Sequence, residues 1–138
     1  MNWTFEVVCV PVADVDRART FYVDQVGFNL DFDSQISEEV RVVQLTPPGS
    51  GCSIQIGRGI VGMPPGSLEG LQLVVPDLET ARAELVGRGV EATEIQVFEP
   101  DGGLRPSREG EALDNVGFVY FGDPDGNRWC VQQTPARD

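Results

Sequence analysis

Histidine is absent from this 138-residue chain, and so is lysine, because all ten basic residues are arginine. These two absences exclude much chemistry. There is no imidazole base, no Ser-His-Asp triad and no histidine-ligated metal, and no side-chain Schiff base. The groups left with chemical reach are three thiols, Cys9, Cys52 and Cys130, several glutamines, and the arginines. The cysteines lie too far apart for a C-x-x-C redox or zinc pattern. Their odd number fits free thiols in a reducing compartment. Such a thiol packs as a small hydrophobe by default. A nucleophilic Cys9 or Cys130 would need a cation beside it to lower its pKa, and the sequence shows none. Arg105 and Arg108 could grip an anionic ligand, with plain solvation as the competing role.

An internal repeat shows which elements must position these groups. Val10-Pro11-Val12-Ala13-Asp14-Val15-Asp16-Arg17-Ala18-Arg19 matches Leu73-Val74-Val75-Pro76-Asp77-Leu78-Glu79-Thr80-Ala81-Arg82, 63 residues on. Each copy reads as strand, cap and helix. Asp14 and Asp77 suit the N-cap, where a carboxylate accepts orphan N–H groups of the first turn. Asp16 and Glu79 favour the positive end of the helix dipole. Ala18, Phe21, Tyr22 and Val26 fall on one helical face, and Leu78, Ala81 and Leu85 on another. Gly27 ends the first helix, and Gly87 or Gly89 the second.

Strands are predicted after each helix: 28–33, 40–45 and 52–57, then 94–98, 116–121 and 129–133. Asp123-Pro124-Asp125-Gly126 makes the last turn. The fold class is therefore α+β, as two tandem βαβββ modules within one domain. Module one spans about 1–58, a linker 59–69, and module two about 70–134. The polar, Gly-rich stretch 99–114 reads as a long loop.

The net charge of −12 and pI near 4.2 repel phosphate backbones and argue against nucleic-acid binding. No apolar run approaches a membrane span. The opening residues lack the features of a secretory signal, so a cytoplasmic location is expected.

Val10-Pro11-Val12-Ala13-Asp14, Phe21-Tyr22 with Val26-Gly27-Phe28, and Asp123-Pro124-Asp125-Gly126-Asn127 resemble motifs of the vicinal oxygen chelate superfamily. That superfamily includes glyoxalase I, extradiol dioxygenases, fosfomycin-resistance proteins and bleomycin-binding proteins. The resemblance runs from about Val7 to Gln133. It implies a curved mixed-sheet cup around a small molecule, and commonly a homodimer. It also implies four metal-ligand positions, usually His, Glu or Gln, which here carry Val7, Gln55, Gly70 and Cys130. Val and Gly offer no side-chain donor, and an amide with a thiol is a poor set for a divalent ion. No metal and no other cofactor is expected.

Strand alternation then gives the inner faces. Cys9, Ser53, Gln55, Gln72, Cys130 and Gln132 point inward and form the candidate ligand site. The site is polar and uncharged, with no inward carboxylate. Its amides both donate and accept. Burying them without partners is costly, so a ligand, water or one another must satisfy them. Phe118, Tyr120, Phe121 and Trp129 could add an aromatic wall or simply pack the core. The expected function is binding of a neutral or cationic organic molecule without metal. The competing readings are a metal-independent isomerase or lyase acting on a carbonyl compound and, less consistent with these residues, a metal-dependent enzyme.

Overall fold

Two aspartates start the two helices. Asp14 Oδ1 accepts the Arg17 N–H at 3.0 Å, and Asp77 Oδ1 accepts the Thr80 N–H at 3.1 Å. Each cap satisfies an amide that has no partner within its helix, which is worth about 1 kcal/mol. The computed structural model describes residues 1–136 and divides the chain into two compact units. The first unit holds residues 1–68 and the turn Asp123–Asn127. The second holds 69–122 and the chain from Arg128.

In the first unit, β1 (Val7–Cys9) leads to α1 (Val15–Thr20), which continues as a π-helical segment, Phe21–Val26. Gly27 ends it at φ 93°, a left-handed conformation that glycine adopts without steric cost. The Tyr22 carbonyl accepts both the Gly27 and Phe28 N–H groups, at 3.0 and 2.8 Å. Then follow β2 (Asn29–Gln35), β3 (Arg41–Thr46) and β4 (Ser53–Arg58). The sheet order is β1-β4-β3-β2, with β1 parallel to β4 and the other pairs antiparallel. Alternation sorts its side chains. Val43, Leu45, Ile54 and Ile56 are buried, as are Val10, Ala18, Phe21, Tyr22 and Phe28. Burying a side chain of this size stabilises by about 1.5–3 kcal/mol, so this helix-side layer is the core that sets the register.

The turn Asp123–Asn127 is a hydrogen-bonded cluster within this unit. Asp123 Oδ1 accepts the N–H groups of Asp125 and Asn127, at 3.0 and 2.9 Å. Its Oδ2 accepts Tyr22 O–H at 2.7 Å and Asn127 Nδ2–H at 2.8 Å. Asn127, fully buried, also donates to the Pro11 carbonyl and accepts from the Leu68 N–H. Every donor aimed at the buried Asp123 carboxylate is thus matched, as an interior charge requires. Gly66, at φ +80°, lies so close to the Asp125 carbonyl that a Cβ there would meet that oxygen at 2.0 Å.

The second unit runs β5 (Leu71–Val75), α2 (Leu78–Gly87), β6 (Gln96–Phe98), β7 (Leu104–Pro106), β8 (Gly117–Gly122) and β9 (Arg128–Gln133). Its sheet order is β5-β9-β8-β6-β7, with β5 parallel to β9. The stretch read as one long loop instead contains β7, which pairs with β6 in a hairpin around the Gly102–Gly103 turn. A three-residue strand is too short to show alternation. What orders it is Arg105, held between the carboxylates of Glu99 and Glu111.

Candidate functional site

Each sheet has one face turned toward its helix and one turned away, and the predicted site residues all lie on the faces turned away. In the first unit Val7 pairs with Ser53 and Cys9 with Gln55, across parallel strands. The apolar neighbours Ile54 and Ile56 take the buried side. In the second unit Gln72 pairs with Cys130 and Val74 with Gln132, while Trp129 and Val131 are buried behind them.

The first unit's face is a continuous row of polar side chains. Cys9 Sγ approaches Gln55 Oε1 at 3.9 Å, and Gln55 Nε2 donates to Gln44 Oε1 at 3.1 Å. Gln44 Nε2 donates in turn to Asp31 Oδ2 at 3.2 Å. Thr46 Oγ1 donates to the same carboxylate oxygen, and lies 2.6 Å from Ser53 Oγ. The expectation of no inward carboxylate is therefore corrected, because Asp31 is on this face. The cause is a β-bulge, in which the β2–β3 register shifts between Leu30 and Phe32 and turns Asp31 toward Gln44 and Thr46. Gln44 and Thr46 were readable from alternation with the buried Val43 and Leu45. The bulge has no signature in the sequence. Asp33, two residues on, faces the helix side, where Arg41 and Arg19 hold its carboxyl below its ordinary pKa.

The second unit's face is aromatic. Phe118 and Tyr120 stack at 6.3 Å, and Phe98, 48% exposed, meets Phe118 edge-on at 6.5 Å. Tyr120 lies opposite Cys130 and Phe118 opposite Gln132. Of the four aromatics singled out in the sequence, Phe118 and Tyr120 are on this face. Phe121 and Trp129 instead stack on each other in the core at 6.0 Å. Gln72 Nε2 donates to Gln132 Oε1 at 2.7 Å, and Gln132 Nε2 to the Asn115 carbonyl at 2.9 Å. Burial pushes the Cys130 thiol pKa up, and burial, then the neighbouring Cys130, push Tyr120 up. Both stay protonated at neutral pH, so Cys130 is a poor nucleophile.

Arg105, in the stretch 99–114, is not a free anion grip. The Arg105 guanidinium is committed to two carboxylates, and Glu111, paired with it, is pulled down to about 2. At Arg108 the backbone N–H, not the guanidinium, donates to Glu111.

The four positions that the resemblance assigns to a metal do not make a donor set. Val7 and Gly70 have no side-chain donor atom. Gln55 has both amide ends engaged with Cys9 and Gln44, and Cys130 is held as a thiol. Among the described residues no three His, Cys, Asp or Glu side chains gather into a metal-binding group.

Comparison with known proteins agrees with this fold. A family model described as bleomycin resistance protein-like N-terminal matches residues 4–34. The crystal structure of TnmS3, an antibiotic binding protein from Streptomyces sp. CB03234, is 31% identical, covers 98% of each chain and superposes with a TM-score of 0.73. A glyoxalase/bleomycin resistance protein from the same organism is 32% identical over 94% of this chain and 100% of its own, with a TM-score of 0.71. A member of the glyoxalase/bleomycin resistance protein/dioxygenase superfamily from Sphaerobacter thermophilus DSM 20745 is 26% identical, covers 96% and 98%, and gives 0.72. No curated protein matches the chain. The chain belongs to the glyoxalase/bleomycin resistance protein/dioxygenase superfamily.

Proposed function

We propose that this protein is a metal-independent binding protein for a small organic molecule, neutral or cationic, with a planar aromatic part. One observation carries the reading most directly: the solvent-accessible stack of Phe98, Phe118 and Tyr120 beside Gln72, Cys130 and Gln132. Rings left on a sheet face offer dispersion and stacking to a flat ligand, and neighbouring amides fix its orientation. The net charge of −12 favours a cation over an anion at long range. The antibiotic-binding relative supports a sequestering role rather than turnover. So does Cys130, which burial holds as a thiol.

Daunorubicin, a planar anthraquinone that carries an aliphatic ammonium group on its sugar, is a suitable first probe. Quenching of its fluorescence and a rise in melting temperature are expected, both abolished by Phe118→Ala with Tyr120→Ala. No binding by daunorubicin or by other flat aromatic cations and neutrals would count against the reading. We further propose that the protein is a homodimer in a cytoplasmic setting, testable by light scattering and by localisation of a tagged chain. Among the described residues no helix is long and apolar enough to cross a membrane.

A further inference from the structure

The proton count along the first unit's polar row fixes its hydrogen-bonding character. An ionised carboxylate only accepts. Asp31 Oδ2 takes one N–H of Gln44 and the single O–H proton of Thr46. With its proton spent, Thr46 Oγ1 can only accept at its contact with Ser53, so the Ser53 hydroxyl is the donor there. Gln44, with its amide nitrogen turned to Asp31, presents Oε1 to Gln55, which must turn its own nitrogen toward Gln44. Gln55 Oε1 is then left facing Cys9. One carboxylate thus orients five side chains, and the protons of the row all run toward it.

What remains for a ligand is mostly acceptors. Asp31 Oδ1 has no hydrogen-bond partner among the described residues, and Ser53 Oγ, Gln44 Oε1 and Gln55 Oε1 each keep a lone pair. The only amide donors left over are the second N–H groups of Gln44 and Gln55.

We infer that Asp31 is a specificity-determining residue that makes this face acceptor-rich, selecting ligand groups that bring donors (ammonium, hydroxyl or N–H) and rejecting carboxylates. The inference rests on the small-molecule binding proposed above and gives the first unit's face a selectivity of its own. Asp31 would touch a donor group through Oδ1 and act on the rest of the face by orienting Gln44, Gln55, Thr46 and Ser53. Replacing it by Asn supplies an N–H₂ that can face Thr46 and Gln44. That would reverse the row and release donors toward the ligand.

The test uses three probes with one ring system: 2-naphthylmethylammonium, 2-naphthylmethanol and 2-naphthoate, titrated into the full-length protein and followed by ¹H–¹⁵N NMR. The first two are expected to shift the backbone and side-chain amides of Cys9, Gln44, Gln55 and Ser53, with 2-naphthoate about tenfold weaker or more. In Asp31→Asn the preference for the ammonium over 2-naphthoate should shrink several-fold, leaving what the overall negative charge supplies. The Gln44 and Gln55 side-chain signals should move even without probe. Thr46→Val removes one donor from Asp31 and keeps the shape of the side chain. It should raise the ammonium preference, and it provides an independent test should Asp31→Asn fail to fold. Binding of all three probes with no charge preference, or a preference unchanged in both variants, would overturn the role of Asp31 and leave the binding function standing. Failure of every probe to shift any signal on either sheet face would count against the binding function, and the inference would fall with it.

Discussion

The two sheet faces come from one repeated plan and carry different chemistry. In the first unit the face is a proton-directed row ending at Asp31. In the second it is a stacked aromatic surface edged by Gln72, Gln132 and Cys130. Behind each face the plan is the same: an Asp cap, a helix, and alternating buried residues such as Ile54 and Ile56 or Trp129 and Val131. The residues that specify the fold thus lie on the helix side and in the 123–127 turn, leaving the other face free to differ. The motif that most resembles the superfamily, Asp123-Pro124-Asp125-Gly126-Asn127, is therefore structural in its effect. The Asp123 carboxylate is consumed by four donors, and Asp125 Oδ1 is paired with Arg17 and the Ala13 N–H.

The largest effect is expected where this division is sharpest. Asp123→Ala leaves four donors without their acceptor, two of them on the buried Tyr22 and Asn127 side chains, and should cost about 3 kcal/mol of stability in urea unfolding. Gln72→Ala, on the second unit's face, should stay within about 0.5 kcal/mol of the parent. Equal costs for the two would break the comparison.

Next in size, Phe118→Leu keeps apolar volume and removes the stacking surface. It should weaken daunorubicin binding by about 1 kcal/mol while changing stability little. Unchanged affinity would move the ligand away from the second unit's face.

The fold was readable in the sequence because its signals are local and repeated: caps, alternation, and turn residues. The same alternation placed Cys9, Ser53, Gln55, Gln72, Cys130 and Gln132 on the faces turned away from the helices. Asp31 was hidden because a bulge changes which face a residue takes without altering composition. The β6–β7 hairpin was hidden because an ion-pair cluster, rather than an apolar pattern, holds it. Phe98 was missed because it falls on the last residue of a three-residue strand.

That cluster gives a pH prediction. Glu111 has its folded-state pKa lowered to about 2, chiefly by its hydrogen bond to Arg105. A depressed carboxylate contributes stability above its unfolded pKa, and that stability is lost as pH falls through the folded value. The 99–111 segment should therefore remain ordered at neutral pH and loosen between about pH 4.5 and 2. Amide exchange in that segment checks this, and Glu111→Gln should remove the acid-dependent step.

The smallest effect concerns the thiol. Because burial raises its pKa, Cys130 should react with iodoacetamide at neutral pH more slowly than an exposed cysteine does, as read by mass spectrometry. Fast, selective labelling would reopen a nucleophilic role.

If side chains alone hold the ligand, removing every metal ion leaves binding intact. The most direct test is the daunorubicin dissociation constant measured before and after exhaustive EDTA treatment, with elemental analysis of the same samples. An unchanged constant and no stoichiometric transition metal are expected. Loss of binding on chelation, restored by one equivalent of nickel, zinc, manganese or iron, would contradict metal-independent binding.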